Sequence, residues 1–405
     1  MSRITAILCC LMAWGLSMAA HAQEFTGLAR VDAARSGVTD LRAGAELRLG
    51  LSQPVPFRAF TLDNPRRLVL DFSVVAWQGF DAAGFDRSVA ISDIRVGTIS
   101  AGWSRMVAAL DAPMKVASAE LRTTGAAELV VALEEVSAEQ FAASAGAPPS
   151  DNFTLPEPAE LVAPRARPGG ERPVVVVLDP GHGGIDPGAE RGEAVEADLM
   201  LQFARELREA LLRAGGFEVV LTRDADVFVP LEMRLSVARS AQADVFLSLH
   251  ADALAEGRAS GATIYTLAGE ATDIASEKLA ERHDRAELLA GVDLSQQDDA
   301  VAKLLMDLAR ADTWPRTDRL ADALVEGLRS NVGDLHKRPR QSAAFSVLKA
   351  PDVPSVLIEL GFMSSERDLA NLQSPEWRAR AARGIRDALR VWAKEDAAEG
   401  ELLRQ

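Results

Sequence analysis

Cysteine is nearly absent from this sequence, which limits how the protein is held together. The 405 residues include only two cysteines, Cys9 and Cys10. Both lie in a segment with the features of an export signal: basic Arg3, an apolar stretch too short to span a bilayer, and small residues at Ala20 and Ala22. We expect residues 1–22 to be a signal peptide cleaved after Ala22. The mature chain would then have neither disulfides nor cysteine metal ligands.

The chain also lacks an excess of basic residues. It carries 44 Lys and Arg against 59 Asp and Glu, a formal net charge of -15. Because nucleic-acid binding requires clustered cations to neutralise phosphates, this composition excludes a nucleic-acid partner. Long hydrophobic runs are missing after the signal peptide as well, so we expect a soluble mature protein without a transmembrane segment.

Short alternating strands characterise residues 24–136. Asn64 and Pro65 predict a turn between two of these strands. The strands are predicted at residues 46–49, 67–72, 106–110 and 128–133. This pattern indicates an all-β sandwich domain. Residues 137–172 are rich in Ala, Pro, Gly, Ser and Glu without apolar periodicity, and we predict a flexible linker there.

Strands and helices alternate in residues 173–397. The apolar run at 174–178 is typical of a strand buried on both faces. A helix follows, with an apolar stripe that ends at Gly215. Further strands are predicted at residues 217–222, 244–249, 262–267 and 355–360, and Pro230 opens another helix. The order predicts an α/β fold in which helices flank a largely parallel twisted sheet.

Four residues that could bind a metal or act as a base are predicted near the carboxyl edge of this sheet. Proteins with α/β folds bind their ligands at that edge. His182 follows the first strand, His250 ends another, Glu359 lies near the end of the last strand, and Glu196 lies on the buried face of the first helix. A buried glutamate requires a metal, a cation or a proton. Two imidazoles and one carboxylate form a familiar catalytic zinc set, which leaves the other carboxylate as a base.

Simpler interpretations exist for each of these residues alone. Either histidine could be a hydrogen-bonded loop residue, and Glu196 could be a carboxylate favoured at a helix start. Glu359 could be half of a buried salt bridge with Arg223 or Lys349. Three of the four converge on strand ends, which favours the metal interpretation, and the four histidines after the signal peptide leave few other metal sets.

Several segments resemble motifs of the amidase-3 family of N-acetylmuramoyl-L-alanine amidases, and the resemblance covers roughly residues 173–392. The segments are residues 178–188, 248–251, 345–351 and 355–362, together with Glu196. The resemblance implies that His182, Glu196 and His250 bind one zinc ion and that Glu359 is the catalytic carboxylate. The implied reaction is hydrolysis of the amide between the lactyl group of N-acetylmuramic acid and L-alanine in peptidoglycan.

Three positions depart from the family pattern. The family usually has Lys at the position of Ala197, Asn at the position of Asp252, and tends to Asn at the position of Ser365. None is a proposed ligand. We therefore expect the departures to affect substrate contacts and surface charge rather than the metal site.

Residues 57–71 resemble the AMIN domain of periplasmic amidases. That resemblance implies a periplasmic protein directed to the division septum or to peptidoglycan itself, with a role in daughter-cell separation. A plain β-sandwich spacer is the alternative interpretation.

Residues 268–320 form a predicted helical insert that a minimal catalytic fold does not require. It resembles an insert of division-associated family members that occludes the zinc until an activator displaces it. The resemblance implies that Glu281 or Glu277 occupies the open zinc position and that LytM-domain activator proteins are partners. An ordinary solvated helix pair is the alternative.

Three other functions remain open at this level. A zinc peptidase would cut within the stem peptide, a catalytically silent protein would only bind the wall, and a division scaffold would use only the β-domain. An intact set of ligands together with Glu359 argues against the silent protein.

Overall fold

The computed structural model describes residues 28–402 apart from 74, 86–87, 101, 124, 149–171, 254–258, 269–270, 290–299, 334 and 351. For residues 282, 284–289, 300–312 and 401–402 it describes only the backbone. The predicted signal peptide and most of the predicted linker lie outside these residues. Within the described part of the chain, no helix is long and apolar enough to cross a membrane.

The first domain is a β-sandwich of two sheets, in which the strands pair antiparallel except for one short parallel pair at the edge of the first sheet. One sheet has the order β5-β1-β2-β9-β8 and the other β3-β4-β7-β6. The strands are β1 (Ala29–Leu41), β2 (Gly44–Leu51), β3 (Phe57–Leu62), β4 (Arg67–Ser73), β5 (Val75–Ala76), β6 (Ile91–Ser100), β7 (Trp103–Leu110), β8 (Met114–Arg122) and β9 (Glu128–Glu135). A short helix, α1 (Ala82–Phe85), precedes β6. The alternating side chains Leu47, Leu49, Leu68 and Leu70 meet in a common core, which confirms the predicted sandwich.

The segment after β9 differs from the predicted linker. A helix, α2 (Ala138–Ser144), begins at Ser137, whose side chain forms a capping box with Gln140. Phe141 on this helix is fully buried in the sandwich core. The predicted linker boundary at 137 is thus too early, because one aromatic side chain and a good cap attach the segment to the β-domain without any long apolar stripe.

The second domain contains a six-stranded sheet in the order β13-β10-β14-β17-β15-β16. Four of the five strand pairs are parallel, and only β15 and β17 pair antiparallel. The strands are β10 (Val174–Pro180), β13 (Phe217–Leu221), β14 (Val245–His250), β15 (Ala262–Leu267), β16 (Leu335–Ala343) and β17 (Ser355–Glu359). A small hairpin of β11 (Glu190–Arg191) and β12 (Ala194–Val195) precedes the first long helix.

Helices cover both faces of this sheet. The helices are α3 (Glu196–Ala214), α4 (Leu231–Ser240), α5 (Ile274–Leu289), α6 (Ala300–Val332), α7 (Glu366–Gln373) and α8 (Pro375–Leu402). Apolar side chains of α3, α6 and α8 pack on one face, and those of α4, α5 and a 3-10 turn at Ser346–Leu348 pack on the other. The predicted α/β architecture with a largely parallel sheet is confirmed.

Candidate metal centre

Three neighbouring parallel strands bring the candidate residues together. In the register of β14 and β17, His250 lies directly beside Glu359. In the register of β10 and β14, Pro180 pairs with Leu249, so the loop that carries His182 begins next to His250. Because parallel strands end at the same edge of the sheet, residues far apart in the chain share one site.

His182 lies in a tight loop that holds it in a left-handed conformation, with φ of 59°. Its Nδ1 is 2.7 Å from Asp186 Oδ2, and its carbonyl oxygen accepts a hydrogen bond of 2.9 Å from Arg234. Burial disfavours the charged ring, but the carboxylates of Asp186 and Glu196 outweigh burial and raise the pKa of His182 well above its usual value. The ring is therefore anchored through Nδ1, and Nε2 is directed into the site.

Glu196 begins helix α3 and lies between the two histidines. Its Oε1 is 3.3 Å from His182 Nε2 and 3.1 Å from His250 Nδ1. The same carboxylate accepts hydrogen bonds of 2.9 Å from the backbone N–H groups of Ala251 and Ala189. Although burial opposes ionisation, the neighbouring His182 lowers the pKa of Glu196 well below its usual value. Glu196 is thus an ionised, rigidly held carboxylate.

Glu359 is fully buried and is held by only one of its oxygens. Oε2 accepts a hydrogen bond of 3.0 Å from the backbone N–H of Asp252, whereas Oε1 has no hydrogen-bond partner among the described residues. Burial raises the pKa of Glu359 well above its usual value, and the nearby carboxylates of Glu196 and Asp252 raise it further. One oxygen is therefore positioned while the other faces the site.

The salt-bridge interpretation of Glu359 does not fit the observed contacts. Arg223 donates hydrogen bonds to the carbonyl oxygens of Pro180, Gly181 and Ala197, and so supports the His182 loop. Lys349 donates to the hydroxyl of Ser346. Both candidate cations are accounted for by other partners.

The insert contributes a histidine that sequence reasoning did not assign to the site. His283 on α5 has its Nε2 3.7 Å from Asp252 Oδ2 and 3.8 Å from Glu359 Oε1. Its ring centroid is 4.2 Å from that of His250. The two predicted insert residues, Glu277 and Glu281, are exposed on the same helix and are not brought to the site. The sequence offered one sign of this role: His283 is one of only four histidines after the predicted signal peptide.

The spacing of the Glu196 carboxylate and the His182 and His250 nitrogens fits ligands of one zinc ion. Two atoms that each lie about 2.0–2.1 Å from one tetrahedral zinc are about 3.3 Å apart, close to the two Glu196–histidine distances given above. One nitrogen from each of His182, His250 and His283 falls within 4.8 Å of the others. His182 Nε2, His283 Nε2 and Glu359 Oε1 are buried without a hydrogen bond in the described part of the chain. Such groups are costly unless a cation satisfies them.

Comparison with known proteins decides the family. The sequence model of the N-acetylmuramoyl-L-alanine amidase family matches residues 176–391, and that of the AMIN domain matches residues 38–133. The chain belongs to the N-acetylmuramoyl-L-alanine amidase family. The amidase AmiC of Escherichia coli is 30% identical over 85% of this chain and 86% of its own. AmiC of Neisseria meningitidis is 33% identical over 84% of each chain. AmiA of Escherichia coli is 37% identical over 55% of this chain and 76% of its own.

The three departures from the amidase pattern have different structural positions. Asp252 is buried beside Glu359, so this departure lies within the site, whereas we expected the departures to affect substrate contacts and surface charge. Ala197 is buried at the start of α3. Ser365 caps helix α7 by accepting the N–H of Asp368 at 3.3 Å. Only Asp252 adds charge next to the amidase's candidate carboxylates.

A buried ion pair between Asp179 and Arg234 supports the loop of the amidase that carries His182. Asp179, near the end of β10, accepts three hydrogen bonds: one of 2.7 Å from Arg234, one of 2.6 Å from Thr222 and one of 2.8 Å from Ser248. Burial opposes ionisation of Asp179, but Arg234 and the hydroxyl groups outweigh it and lower the pKa of Asp179. Arg234 also donates to the carbonyl oxygen of His182. The pair therefore links the sheet to the candidate metal ligand.

Proposed function

We propose that this protein is a zinc-dependent amidase that hydrolyses the bond between N-acetylmuramic acid and L-alanine in peptidoglycan. The observation that carries the proposal is the convergence of His182, Glu196 and His250 around one point, with Glu359 alongside. This convergence occurs in a chain that matches the amidase family over the whole catalytic domain. The names of its relatives support the same reaction.

His182, Glu196 and His250 would hold the metal, one ion per catalytic domain. Burial and then the nearby His283 lower the pKa of His250 to about 4, which keeps that ring neutral and able to bind a cation. Bound zinc would supply Lewis-acid polarisation of the scissile carbonyl and of the attacking water. The two-histidine, one-carboxylate set suits zinc among the common divalent ions.

Glu359 is the proposed proton carrier. Its hydrogen bond from the Asp252 N–H fixes the carboxylate, while Oε1 remains available to accept a proton from the attacking water. The same group would then deliver the proton to the leaving amine of L-alanine. This function explains why a carboxylate occurs at the end of an otherwise apolar strand.

The β-domain and the predicted export signal suggest where the reaction takes place. We propose that the protein acts in the periplasm, that the AMIN domain directs it to the division septum or to peptidoglycan, and that it serves daughter-cell separation. The match to AMIN over residues 38–133 supports this.

We also propose that the insert restrains the enzyme. His283 reaches the site from α5 and lies between Asp252 and Glu359, where its ring restricts the approach of a substrate to the candidate base. Removal of α5 by an activator of the LytM-domain type would clear that space. In this proposal His283, and not Glu277 or Glu281, is the insert residue that closes the site.

Digestion of purified peptidoglycan tests the proposed reaction. The zinc-loaded chain from residue 23 onward and its His283→Ala variant are compared with and without a chelator. We expect stem peptides with a free L-alanine amino terminus, lost with the chelator and with Glu359→Gln. Free amino acids or shortened peptides on intact sugars would instead indicate a peptidase. Wall binding without products from either protein would favour a silent binding protein.

A further inference from the structure

The four-stranded sheet of the β-domain has an unusual outer face. Its inward-facing side chains fill the sandwich core, but Phe60, Leu62, Val69 and Val107 point away from that core and are also buried, with at most 6% of their surface exposed. An antiparallel sandwich normally has a polar, solvated outer face. This apolar patch of the outer face therefore requires a cover, since exposed patches of this kind mark contact surfaces.

The cover comes from the catalytic domain. Ile185 and Phe228 complete the same apolar cluster, with 1% and 5% of their surface exposed. The Phe228 N–H donates a 3.2 Å hydrogen bond to the carbonyl oxygen of Thr98 in β6. Ile185 lies in the loop that carries His182, and Phe228 precedes helix α4. The β-domain thus contacts the two segments that frame the candidate metal centre.

Two glycines make this approach possible. A Cβ on Gly97 in β6 would overlap the Ile185 Cα and lie 2.5 Å from the Gly184 carbonyl oxygen. A Cβ on Gly184 would overlap the Thr98 carbonyl oxygen, and Gly184 also has a φ of 62°. Backbones meet here without side chains between them. At Gly97 this requirement comes from the contact between the domains, whereas at Gly184 a Cβ would also lie 2.5 Å from the Phe228 nitrogen of its own domain.

The contact also connects to the conformation of the metal loop. Gly184 donates a 2.7 Å hydrogen bond to Asp226, two residues before Phe228, and the amide of Gly183 bonds to the Asp186 carbonyl oxygen at 2.7 Å. Asp186 in turn holds the His182 ring. The loop is therefore clamped between the β-domain on one side and the catalytic sheet on the other.

We infer that the β-domain is a positioning element of the metal centre: the apolar patch on its outer face docks on the Gly183–Ile185 loop and keeps His182 directed at the metal. The docking is inferred from the contacts between the two domains alone. Its effect on zinc binding rests on the proposed function. The outer face of this sheet is consequently unavailable to the cell wall. Recognition of peptidoglycan or of a septal partner by this domain has to use its other surfaces.

Gly97→Ala is a sharp test, because its new methyl group obstructs only the docking. Within a strand, alanine is as good as glycine or better, so the β-domain itself should keep or gain stability. Gly37→Ala is the matched control, since its Cβ would meet only the Phe85 carbonyl oxygen at an ordinary 3.5 Å. Four quantities are measured for both variants and for the unaltered protein: hydrogen exchange of the Phe228 amide, hydrogen exchange of residues 183–186, the radius of gyration and zinc affinity.

For Gly97→Ala we expect exchange of the Phe228 amide to become about tenfold faster or more, because its acceptor is removed. We also expect a larger radius of gyration, faster exchange in residues 183–186, and zinc affinity reduced about tenfold, as when the support of a ligand is lost. Gly37→Ala should match the unaltered protein in all four quantities.

Other outcomes separate the parts of the inference. Equal Phe228 exchange and equal size in Gly97→Ala and the unaltered protein would overturn the docking. Lost Phe228 protection with unchanged zinc affinity and unchanged loop exchange would overturn the positioning role. Lost protection together with no zinc binding by any of the proteins would support the docking and refute the proposed metal function.

Discussion

Asp186 determines which nitrogen of His182 faces the candidate metal. Its Oδ2 lies 2.7 Å from Nδ1, and the side chains of His182 and Asp186 are 9% and 8% exposed. Burial would raise the pKa of Asp186, but the adjacent His182 lowers it to about 2, so the carboxylate is ionised and can only accept. Nδ1 must therefore carry the proton, which leaves Nε2 for the metal once that nitrogen is deprotonated.

The first prediction concerns this orienting carboxylate. Asp186→Asn should weaken zinc binding about 10–100-fold. The amide would hold the His182 ring less firmly than the carboxylate does, and it would not increase the basicity of the ring. Chelator competition measures the affinity. Asp198→Asn, on an exposed position of α3, is the matched control and should bind zinc normally. Equal affinity in both variants would show that Asp186 has no orienting role.

The second prediction separates chemistry from metal binding at Glu359. Glu359→Gln should lower kcat roughly 10²–10⁴-fold, the usual contribution of a general base. The fold should persist, since the new amide oxygen can still accept the Asp252 N–H. Steady-state hydrolysis and zinc titration are measured in parallel. Glu366→Gln, at an exposed carboxylate, is the control and should alter neither hydrolysis nor zinc binding. Near-normal turnover by Glu359→Gln would show that Glu359 does not take part in the reaction.

The third prediction addresses the insert. His283→Ala should raise the basal rate of hydrolysis roughly tenfold, the change expected when about 1.4 kcal/mol of closing contact is lost. Glu281→Ala, on the exposed side of the same helix, should leave the rate unchanged. The rates are compared without any activator. A higher rate in Glu281→Ala alone would contradict the role of His283. It would favour Glu281 as the inhibitory residue, as the family resemblance implied.

The fourth prediction is a stability effect that depends on pH. Asp179→Asn leaves Arg234 buried without its carboxylate and should reduce the free energy of unfolding by about 3–5 kcal/mol at pH 7. Because folding lowers the pKa of Asp179, its contribution is complete above the unfolded value of 3.8 and is lost as the pH falls through the lower folded value. The difference between variant and unaltered protein should therefore shrink below about pH 4.

Denaturant unfolding of the metal-free protein at several pH values measures this difference. Asp224→Asn is the control, since Asp224 pairs with Arg205 and Arg208 at the surface. Its loss should cost less than about 1 kcal/mol. A similarly small loss for Asp179→Asn would contradict the structural role of the buried pair.

The sequence permits prediction of the sheet and the strand-end ligands for a simple physical reason. Parallel strands buried on both faces, such as residues 174–178, are continuous apolar runs, and a charged residue at their ends is conspicuous. Strand β16 could not be found this way, because its sequence is mostly polar and includes Pro339. As the strand at one edge of the sheet, it needs no apolar signature.

The place of His283 could not be predicted from the sequence either. Its approach to Glu359 depends on how α5 packs over the sheet, and helical spacing alone does not distinguish the face with His283 from the face with Glu277. The covered outer face of the β-domain had a weak signal in β4, where Leu68, Val69 and Leu70 are consecutive apolar residues. Such a run indicates burial on both faces but not which surface provides the cover.

The position of the oxygen that hydrolysis adds tests the central claim most directly. Peptidoglycan is digested in H₂¹⁸O with the zinc-loaded His283→Ala variant, and the products are fragmented by mass spectrometry. An amidase that acts through Glu359 places the heavy oxygen on the lactyl carboxylate of N-acetylmuramic acid and leaves an unlabelled stem peptide with a free L-alanine amine. Heavy oxygen on a carboxylate within the stem peptide, with the L-alanine still joined to the sugar, would contradict the account.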